Sequence, residues 1–342
     1  MNILIVKLSA IGDVIHTLPS LAALRKLYPD ANITWVIEEA SSDLIMNHPH
    51  LDRVIVSRRK RWIEDFKHGR IVKPFNEMKS FVKELKEQSY DLVIDFHGLL
   101  KSAVVVFLSS GKRKLGYDSM QEMSGLFLNE KIPEDLDKHA VDRYLDFLRY
   151  LGAEEREPEF LIPVHEENIN RIEGFLQTNN IDKKDRFVAV SPIALWDTKL
   201  WEDEKFARLC DRIAEELKVR VVFTGSDPRK LEKIQLRMKF PALNLGGRTT
   251  LRDLAYLYRL SSLVITTDSG PMHIAAAAGT PVVALFGPTD PSRTGPYGFG
   301  HTVIRKDLSC SPCFQKKCAS MKCMLDITVE EVYYIVKEKL SG

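Results

Sequence analysis

A polar turn between an apolar strand pattern and a helix pattern gives this 342-residue chain its clearest chemical signal. Residues 263–267 form a short β-rich apolar run, Asp268, Ser269 and Gly270 interrupt it, and a helix-forming stretch follows from Pro271 onward. Backbone N–H groups at a helix start carry the positive end of the helix dipole and attract anions. We predict a phosphate or pyrophosphate site here, with Asp268 free in the loop to accept hydrogen bonds from a polyol.

Three further residues of the C-terminal half are candidates for the same ligand, and each has a structural alternative. Lys199 lies between a strand pattern and a helix pattern, where its ammonium either neutralises a phosphate or is simply solvated. Gly225 ends another strand pattern and either lets a ligand approach the backbone or forms a plain turn. His273 follows the polar turn and is either a ligand contact or a histidine satisfied in the core.

The N-terminal loop carries a candidate general base. Residues 7–19 follow the first strand pattern and open the first helix, but Gly12 is their only glycine and the G-x-G-x-x-G fingerprint is absent. This disfavours a nicotinamide or flavin cofactor. Asp13, near the helix start, either accepts a proton from an acceptor hydroxyl or caps the helix, and the two interpretations stay open.

The strongest charge cluster of the chain consists of Arg58, Arg59, Lys60 and Arg61, with Trp62 directly after them. The run is either a solvated loop or a landing site for an anionic acceptor or for anionic lipid headgroups. Trp62 correspondingly lies either at a lipid interface or in the core.

Two patterns typical of metal sites have simpler explanations. Four cysteines lie close together in the sequence: Cys310, Cys313, Cys318 and Cys323. We expect free thiols or a redox-labile pair there, with zinc as the alternative, because the spacing is looser than paired C-x-x-C knuckles. Asp135 and Asp137 form a D-x-D, but they precede a helix pattern and are better explained by capping.

The elements that must position these residues alternate between strand and helix patterns along the chain. Such alternation indicates the α/β class with parallel, doubly wound sheets, and the length exceeds one ordinary core. We predict two Rossmann-like domains, residues 1–158 and 159–342, that face a cleft, with a terminal helix that can pack on either. Ligands of such sheets bind where the carboxyl ends of the strands lie.

Composition excludes several functional classes. A formal net charge of +2 is too small for a strongly basic nucleic-acid binder, so we expect no nucleic-acid partner. No apolar run reaches the roughly 18 residues of a membrane span. The first strand pattern begins directly after Met1 without a signal-peptide pattern, so we expect a cytoplasmic site of action.

Together these patterns resemble the lipopolysaccharide heptosyltransferases, glycosyltransferase family nine, over nearly the whole chain, and most of all the heptosyltransferase I type. The resemblance lies in residues 7–19, 35–39, 60–62, 95–103, 139–143, 199–201, 268–273 and 287–291. It implies the GT-B fold, ADP-heptose as donor on the C-terminal domain, and the Kdo sugar of lipid A as acceptor on the N-terminal one. It also implies an inverting mechanism without a catalytic metal, performed peripherally at the inner face of the cytoplasmic membrane.

The resemblance also assigns roles to single residues. Asp13 takes the acceptor proton, Lys199 and the helix start at Ser269 and Gly270 stabilise the departing ADP, and Asp268 holds the heptose hydroxyls. The further donor contacts it implies are Thr249, Gly225, Glu232 and His273. The acceptor contacts it implies are Lys60, Arg61, Gly12, His16 and Lys101.

Three alternatives remain open at this point. The chain can transfer heptose or another sugar to a later inner-core position, as heptosyltransferase II does. A GT-B-shaped sugar-nucleotide epimerase shares the twin sheets but has no use for the basic run. A sugar-nucleotide sensor without catalysis keeps Asp268 and Lys199 but has no use for Asp13.

Overall fold

The computed structural model describes residues 1–119, 125–154, 156–182 and 184–341. The chain divides into two compact units, Met1–Pro163 and Val164–Gly342, so the division follows a charged segment that contains prolines. Each unit is built on a six-stranded sheet whose paired strands are all parallel. The predicted α/β class with two doubly wound sheets is confirmed.

The first unit has the strand order β3-β2-β1-β4-β5-β6. Its strands are β1 (Asn2–Val6), β2 (Asn32–Glu38), β3 (Arg53–Ser57), β4 (Tyr90–Asp95), β5 (Gly111–Tyr117) and β6 (Glu130–Ile132). Its helices are α1 (Ile11–Leu27), α2 (Glu39–Ser42), α3 (Arg59–Lys67), α4 (Val72–Lys86), α5 (Leu100–Leu108) and α6 (Ala140–Tyr150).

Continuous apolar strands form the core of this unit. Residues 3–6 of β1 are fully buried, and Ile3 pairs in register with Ile33 on β2 and with Leu92 on β4. Strands covered on both faces are apolar without alternation, as here. Because the strand order reverses between β1 and β4, the loops that follow these two strands leave the same edge of the sheet side by side, where open α/β sheets bind ligands.

The second unit repeats this plan with the order β12-β11-β10-β7-β8-β9. Its strands are β7 (Phe187–Ser191), β8 (Arg220–Phe223), β9 (Leu243–Asn244), β10 (Leu263–Thr267), β11 (Val282–Phe286) and β12 (Thr302–Arg305). Its helices are α7 (Glu166–Thr178), α8 (Asp203–Glu216), α9 (Pro228–Gln235), α10 (Leu251–Leu260), α11 (Gly270–Ala277), α12 (Pro291–Thr294), α13 (Lys322–Leu325) and α14 (Val329–Ser341). Here the order reverses between β7 and β10, which brings the loops after these two strands to one edge.

The terminal helix α14 packs within the second unit. Val332 and Val336 are fully buried in its core. The Tyr333 hydroxyl donates a hydrogen bond of 2.7 Å to Glu216 on α8, and the Arg212 guanidinium lies 3.8 Å from the centroid of the Tyr333 ring. The sequence allowed the terminal helix to pack on either domain, and these contacts with α8 show that it packs on the second unit.

Two helices differ from what the sequence patterns indicated: α1 begins earlier, and α3 was not predicted. The first, α1, begins at Ile11, so Gly12 and Asp13 lie in its first turn rather than in the preceding loop. The second, α3, begins at Arg59, so the interpretation of the basic run as a loop is wrong for all but Arg58. Arginine and lysine are good helix formers, and a pattern of charge alone does not show this. Among the described residues, no helix is both long and apolar enough to cross a membrane.

Candidate functional site

Asp13 lies at the edge of the first sheet, where the strand order reverses. One carboxylate oxygen accepts a 2.9 Å hydrogen bond from the backbone N–H of Ala10, which is the capping role. The other oxygen accepts a hydrogen bond from the Tyr144 hydroxyl at 3.3 Å and lies 4.0 Å from the Lys7 ammonium. The side chain remains 40% exposed. Capping therefore orients the carboxylate while it stays open to a ligand.

The buried side chain of Lys7 lies next to the Asp13 carboxylate. The Lys7 ammonium donates to the Tyr144 hydroxyl at 2.6 Å and to the carbonyl of Phe96 at 2.9 Å. Burial lowers the pKa of Lys7, while the nearby carboxylates of Asp13 and Asp95 oppose this shift. Burial also raises the pKa of Tyr144, so its hydroxyl keeps its proton for donation. Lys7, Tyr144 and Asp13 thus form a chain of polar contacts with the carboxylate at its exposed end.

His97 follows the neighbouring strand β4 and belongs to the same group of residues. The Asp95 carboxylate accepts hydrogen bonds from the backbone N–H of His97 at 2.9 Å and of Gly98 at 3.1 Å, which fixes the loop. Burial and the nearby cations Lys7 and Lys101 lower the pKa of His97 to about 3, so the ring is neutral and has one donor and one acceptor. Both ring nitrogens are buried, and neither has a hydrogen-bond partner among the described residues. Such a group costs about 1–3 kcal/mol unless something satisfies it, which favours a ligand contact.

Three cations surround the buried carboxylate of Glu38 at the end of β2. Arg59 approaches it at 3.1 Å, Lys60 at 3.6 Å and Lys101 at 3.7 Å. Lys101 also donates to the Ser9 hydroxyl at 2.6 Å, in the loop between β1 and α1. One carboxylate does not balance three cations, so this edge of the sheet keeps a positive surplus next to Asp13.

The other two cations of the basic run, Arg58 and Arg61, differ in whether they form an ion pair. Arg58 pairs with Glu39 at 3.0 Å, whereas Arg61 is exposed and forms no ion pair with any described residue. Trp62 is buried, donates to Glu77 at 2.8 Å and packs edge-on against Phe81. The interpretation of Trp62 as a lipid-facing residue is wrong, because it belongs to the core between α3 and α4.

Gly12 and His16, the other acceptor candidates, are both buried in the first half of α1. The His16 ring packs edge-on against the His139 ring, with the centroids 5.2 Å apart. Because α1 begins at Ile11, Gly12 and His16 are four residues apart on the side of the helix that faces the protein interior.

The second unit brings Lys199 and Asp268 together. The Lys199 ammonium lies 2.5 Å from the Asp268 carboxylate and 4.6 Å from the centroid of the Trp196 ring. The Thr289 hydroxyl donates to the same carboxylate oxygen at 2.6 Å, and Asp268 is only 6% exposed. Asp268 is therefore not unpaired in its loop as expected, because Lys199 and Thr289 already contact its carboxylate, while its contact with a polyol stays a prediction.

The start of α11 lies beside this pair. Ser269 is its N-cap residue, but the Ser269 hydroxyl donates to the carbonyl of Thr267 at 3.3 Å instead of capping the helix. Gly270 and Pro271 occupy the first turn, and His273 is buried one turn further on. The helix start that the sequence predicted is therefore present, and the binding of an anion at it stays a prediction.

The remaining donor candidates occupy three different environments. Gly225 has a φ of +157°, which other residues rarely adopt, and a Cβ atom on it would lie 2.7 Å from the end of the Ile193 side chain. Thr249 is half-buried and precedes Thr250, the N-cap residue of α10, while Glu232 is exposed on the second turn of α9.

The two sequence patterns typical of metal sites, the cysteine cluster and the D-x-D, form local contacts. Within the described part of the chain, no group of three or more His, Cys, Asp or Glu side chains is arranged to hold a metal ion. The Cys318 thiol accepts from the backbone N–H of Met321 at 3.4 Å, which contributes to a lowered pKa of that thiol. Asp135 accepts from the backbone N–H of Asp137 at 3.0 Å, a turn contact.

Comparison with known proteins finds a family match that extends over parts of both units. The model of glycosyltransferase family 9 (heptosyltransferase) matches residues 78–324. The chain belongs to this family. Lipopolysaccharide heptosyltransferase 1 of Pseudomonas aeruginosa is 30% identical over 326 residues, which cover 93% of this chain and 87% of that relative.

Two solved structures share the fold of this glycosyltransferase. A family 9 glycosyl transferase from Veillonella parvula has a TM-score of 0.85 and 26% identity, over 99% of this chain and 97% of that one. The Escherichia coli heptosyltransferase WaaC with ADP has a TM-score of 0.80 and 26% identity, over 99% of this chain and 100% of that one. The GT-B class is confirmed, and membership of a transferase family selects group transfer over the epimerase alternative.

Four residues around the sites of this glycosyltransferase were not predicted as site residues, although Lys7, His97 and Thr289 lie in the ranges that carry the family resemblance. Lys7 and His97 carry a usable signal, since each is a polar residue at the end of an apolar strand run. Tyr144 carries none, because it resembles any aromatic residue on an amphipathic helix. Thr289 lies in the glycine- and proline-containing loop after β11, where only the position at the sheet edge marks it.

Proposed function

We propose that this glycosyltransferase moves heptose from ADP-heptose onto the Kdo sugar of the lipid A inner core during lipopolysaccharide biosynthesis. The observation that carries the proposal is the exposed Asp13 carboxylate, held by Tyr144 and Lys7 at the ligand-binding edge of the first sheet. The relatives support the choice of substrates, since one is named a lipopolysaccharide heptosyltransferase and another was solved with ADP.

In the proposed step, Asp13 acts as the general base. It accepts the proton of the acceptor hydroxyl while the hydroxyl oxygen bonds to the anomeric carbon of heptose. The bond from that carbon to the ADP oxygen breaks, the electron pair leaves with ADP, and the configuration at the carbon inverts. Tyr144 and Ala10 restrict the carboxylate to one orientation, so that little rotational freedom is lost when the acceptor binds.

The donor side of the proposal rests on the second unit. The start of α11 at Ser269 and Gly270 binds the pyrophosphate, and Lys199 adds the positive charge that the departing ADP requires. Because this charge comes from the chain itself, the proposal includes no divalent metal. Asp268 positions Lys199 and reaches the heptose hydroxyls with its remaining lone pairs, and Thr249, Gly225, Glu232 and His273 are further proposed donor contacts.

The acceptor side of the proposal rests on the first unit. The carboxylate of Kdo and the phosphates of lipid A are anions, and the surplus of Lys60, Arg61 and Lys101 complements them. His97 is a neutral donor and acceptor for sugar hydroxyls beside Asp13, and we keep Gly12 and His16 as proposed contacts. A lipid-linked acceptor places the protein peripherally at the inner face of the cytoplasmic membrane.

One assay tests the proposal. The purified protein is incubated with ADP-heptose and either Kdo-lipid A or an acceptor that already carries one heptose, and ADP release is followed. Release that depends on Kdo-lipid A supports the proposal. Release only with the heptosylated acceptor means transfer to a later inner-core position, and binding of ADP-heptose without any release means a sensor.

A further inference from the structure

The first unit exposes several large apolar side chains on α3, α4 and the connection between them. Six large apolar side chains are exposed there: Ile63, Phe66, Ile71, Val72, Phe75 and Met78. Val72 is 74% exposed and Phe75 is 62% exposed. Ile71, the N-cap residue of α4, is four residues from Phe75, which is three from Met78, so the three lie on one side of the start of this helix. We call this set the α3–α4 apolar surface.

Cations border the α3–α4 apolar surface. The exposed cations of this segment include Arg61, Lys67, Arg70, Lys73 and Lys79. Two of them form ion pairs, since Lys67 lies 3.8 Å from Glu64 and Arg70 lies 3.0 Å from Asp65, whereas Arg61, Lys73 and Lys79 form no ion pair with a described residue. The cations therefore outnumber the available carboxylates, which is the pattern of a surface that meets an anionic partner.

The helices beneath this surface are held rigidly by their own core. Trp62 on α3 packs on Phe81 of α4, and both are buried although the apolar residues around them are not. The exposed side chains are thus not displaced core residues. Large apolar side chains exposed together on two neighbouring helices are typical of an interaction site.

We propose that the α3–α4 apolar surface docks onto an anionic lipid bilayer, with its apolar side chains in the interfacial layer and its cations at the headgroups. Apolar side chains flanked by lysine and arginine are what interfacial helices present to membranes. The basic rim argues for anionic lipid rather than for a second copy of this chain, because two copies would bring like charges together. The inference rests on the proposed function for its lipid-linked acceptor.

Vesicle co-sedimentation tests the docking. The double variant Val72→Ser with Phe75→Ser is compared with wild type on vesicles of phosphatidylethanolamine and phosphatidylglycerol. Removing two side chains from the interface should lower the partition coefficient at least about 10-fold. The matched control is Leu236→Ser with Phe299→Ser, two exposed apolar residues of the second unit, and it should bind as wild type does. All replaced side chains are exposed, so the variants should fold normally.

Several results would overturn the docking. Wild type that does not bind the vesicles, or a Val72→Ser, Phe75→Ser variant that binds them equally well, removes the membrane as the partner. A variant that changes only the oligomeric state in light scattering makes the surface an interface between protein copies. Heptose transfer to a water-soluble Kdo oligosaccharide separates the two proposals: wild type that binds vesicles but transfers nothing contradicts the proposed function alone, and the reverse contradicts the docking alone.

Discussion

The Lys199 ammonium lies 2.5 Å from the Asp268 carboxylate, and the two residues belong to the loops after the neighbouring strands β7 and β10. Thr289 donates to the same carboxylate, so the pair is fixed from a third loop. A lysine held in this way keeps its position before any ligand arrives. An arriving pyrophosphate then meets a cation whose side-chain entropy has already been lost, and this preorganisation favours binding.

Replacement of Lys199 by alanine should weaken ADP binding. A charge-assisted hydrogen bond contributes about 1.5–3 kcal/mol, so the dissociation constant should rise on the order of 10- to 100-fold in isothermal titration calorimetry. Lys337→Ala, an exposed lysine of α14, is the control and should bind ADP as wild type does. Unchanged affinity of Lys199→Ala would remove this lysine from the donor site.

Replacement of Asp13 by alanine should reduce turnover while donor affinity stays nearly constant. Loss of general-base catalysis costs on the order of 10²- to 10⁴-fold in kcat, and Asp13 has no proposed contact with ADP-heptose. Asp30→Ala, an exposed carboxylate just after α1, controls for loss of charge in this region. If Asp13→Ala turned over at a near-normal rate, the carboxylate would be a helix cap only.

The pH dependence of stability tests the buried state of His97. Folding lowers the pKa of His97 from 6.5 to about 3, so at intermediate pH the unfolded chain binds a proton that the folded protein does not. Wild type therefore loses stability as the pH falls below about 6.5, until the folded ring is itself protonated near pH 3. In thermal melts, His97→Gln should lose less stability than wild type between pH 6.5 and pH 4, because glutamine does not titrate.

A control variant shows whether the change in the pH dependence of stability is specific to His97. His68→Gln removes an exposed histidine of the same unit and should follow the wild-type curve. An acid decline of His97→Gln identical to that of wild type would contradict the burial of the imidazole in solution. The same variant keeps one donor and one acceptor, so it should retain more activity than His97→Leu.

Local patterns predicted the scaffold of these sites better than their side-chain contacts. The position of Asp13 and Lys199 at sheet edges follows from strand and helix alternation, because parallel strands bring their carboxyl ends together. The pairing of Lys199 with Asp268 does not follow, since the two residues belong to separate strand patterns and only the strand order makes them neighbours. The same reason explains why Glu38 and Tyr144 were not expected beside the basic run and Asp13.

Activity should not depend on a divalent metal. The start of α11 and Lys199 supply positive charge for the pyrophosphate, and the D-x-D of Asp135 and Asp137 is used in a local turn. The measurement is ADP release from ADP-heptose and Kdo-lipid A with and without excess EDTA, and the rates should agree. Inhibition by EDTA that magnesium or manganese reverses would contradict the metal-free proposal.

Charge reversal in the basic run should affect the acceptor and not the donor. Arg61→Glu is the sharper variant, because Arg61 forms no ion pair with a described residue, whereas Lys60→Glu would also repel Glu38. Reversing one charge near an anionic surface changes the interaction by roughly 1–2 kcal/mol, so the acceptor KM should rise on the order of 10-fold. The effect should fade with salt, since screening acts over about 8–10 Å.

Two comparisons show whether the rise in KM comes from weaker binding of the acceptor. The double variant Lys60→Glu with Arg61→Glu should raise the acceptor KM further and leave ADP-heptose affinity unchanged, whereas Lys322→Glu with Lys337→Glu in the second unit should change neither. A single Arg61→Glu variant with wild-type KM, together with a double variant that only loses thermal stability, would show that the basic run serves to balance Glu38 and Glu39. The acceptor would then have to be recognised by Lys101 and His97, beside Asp13.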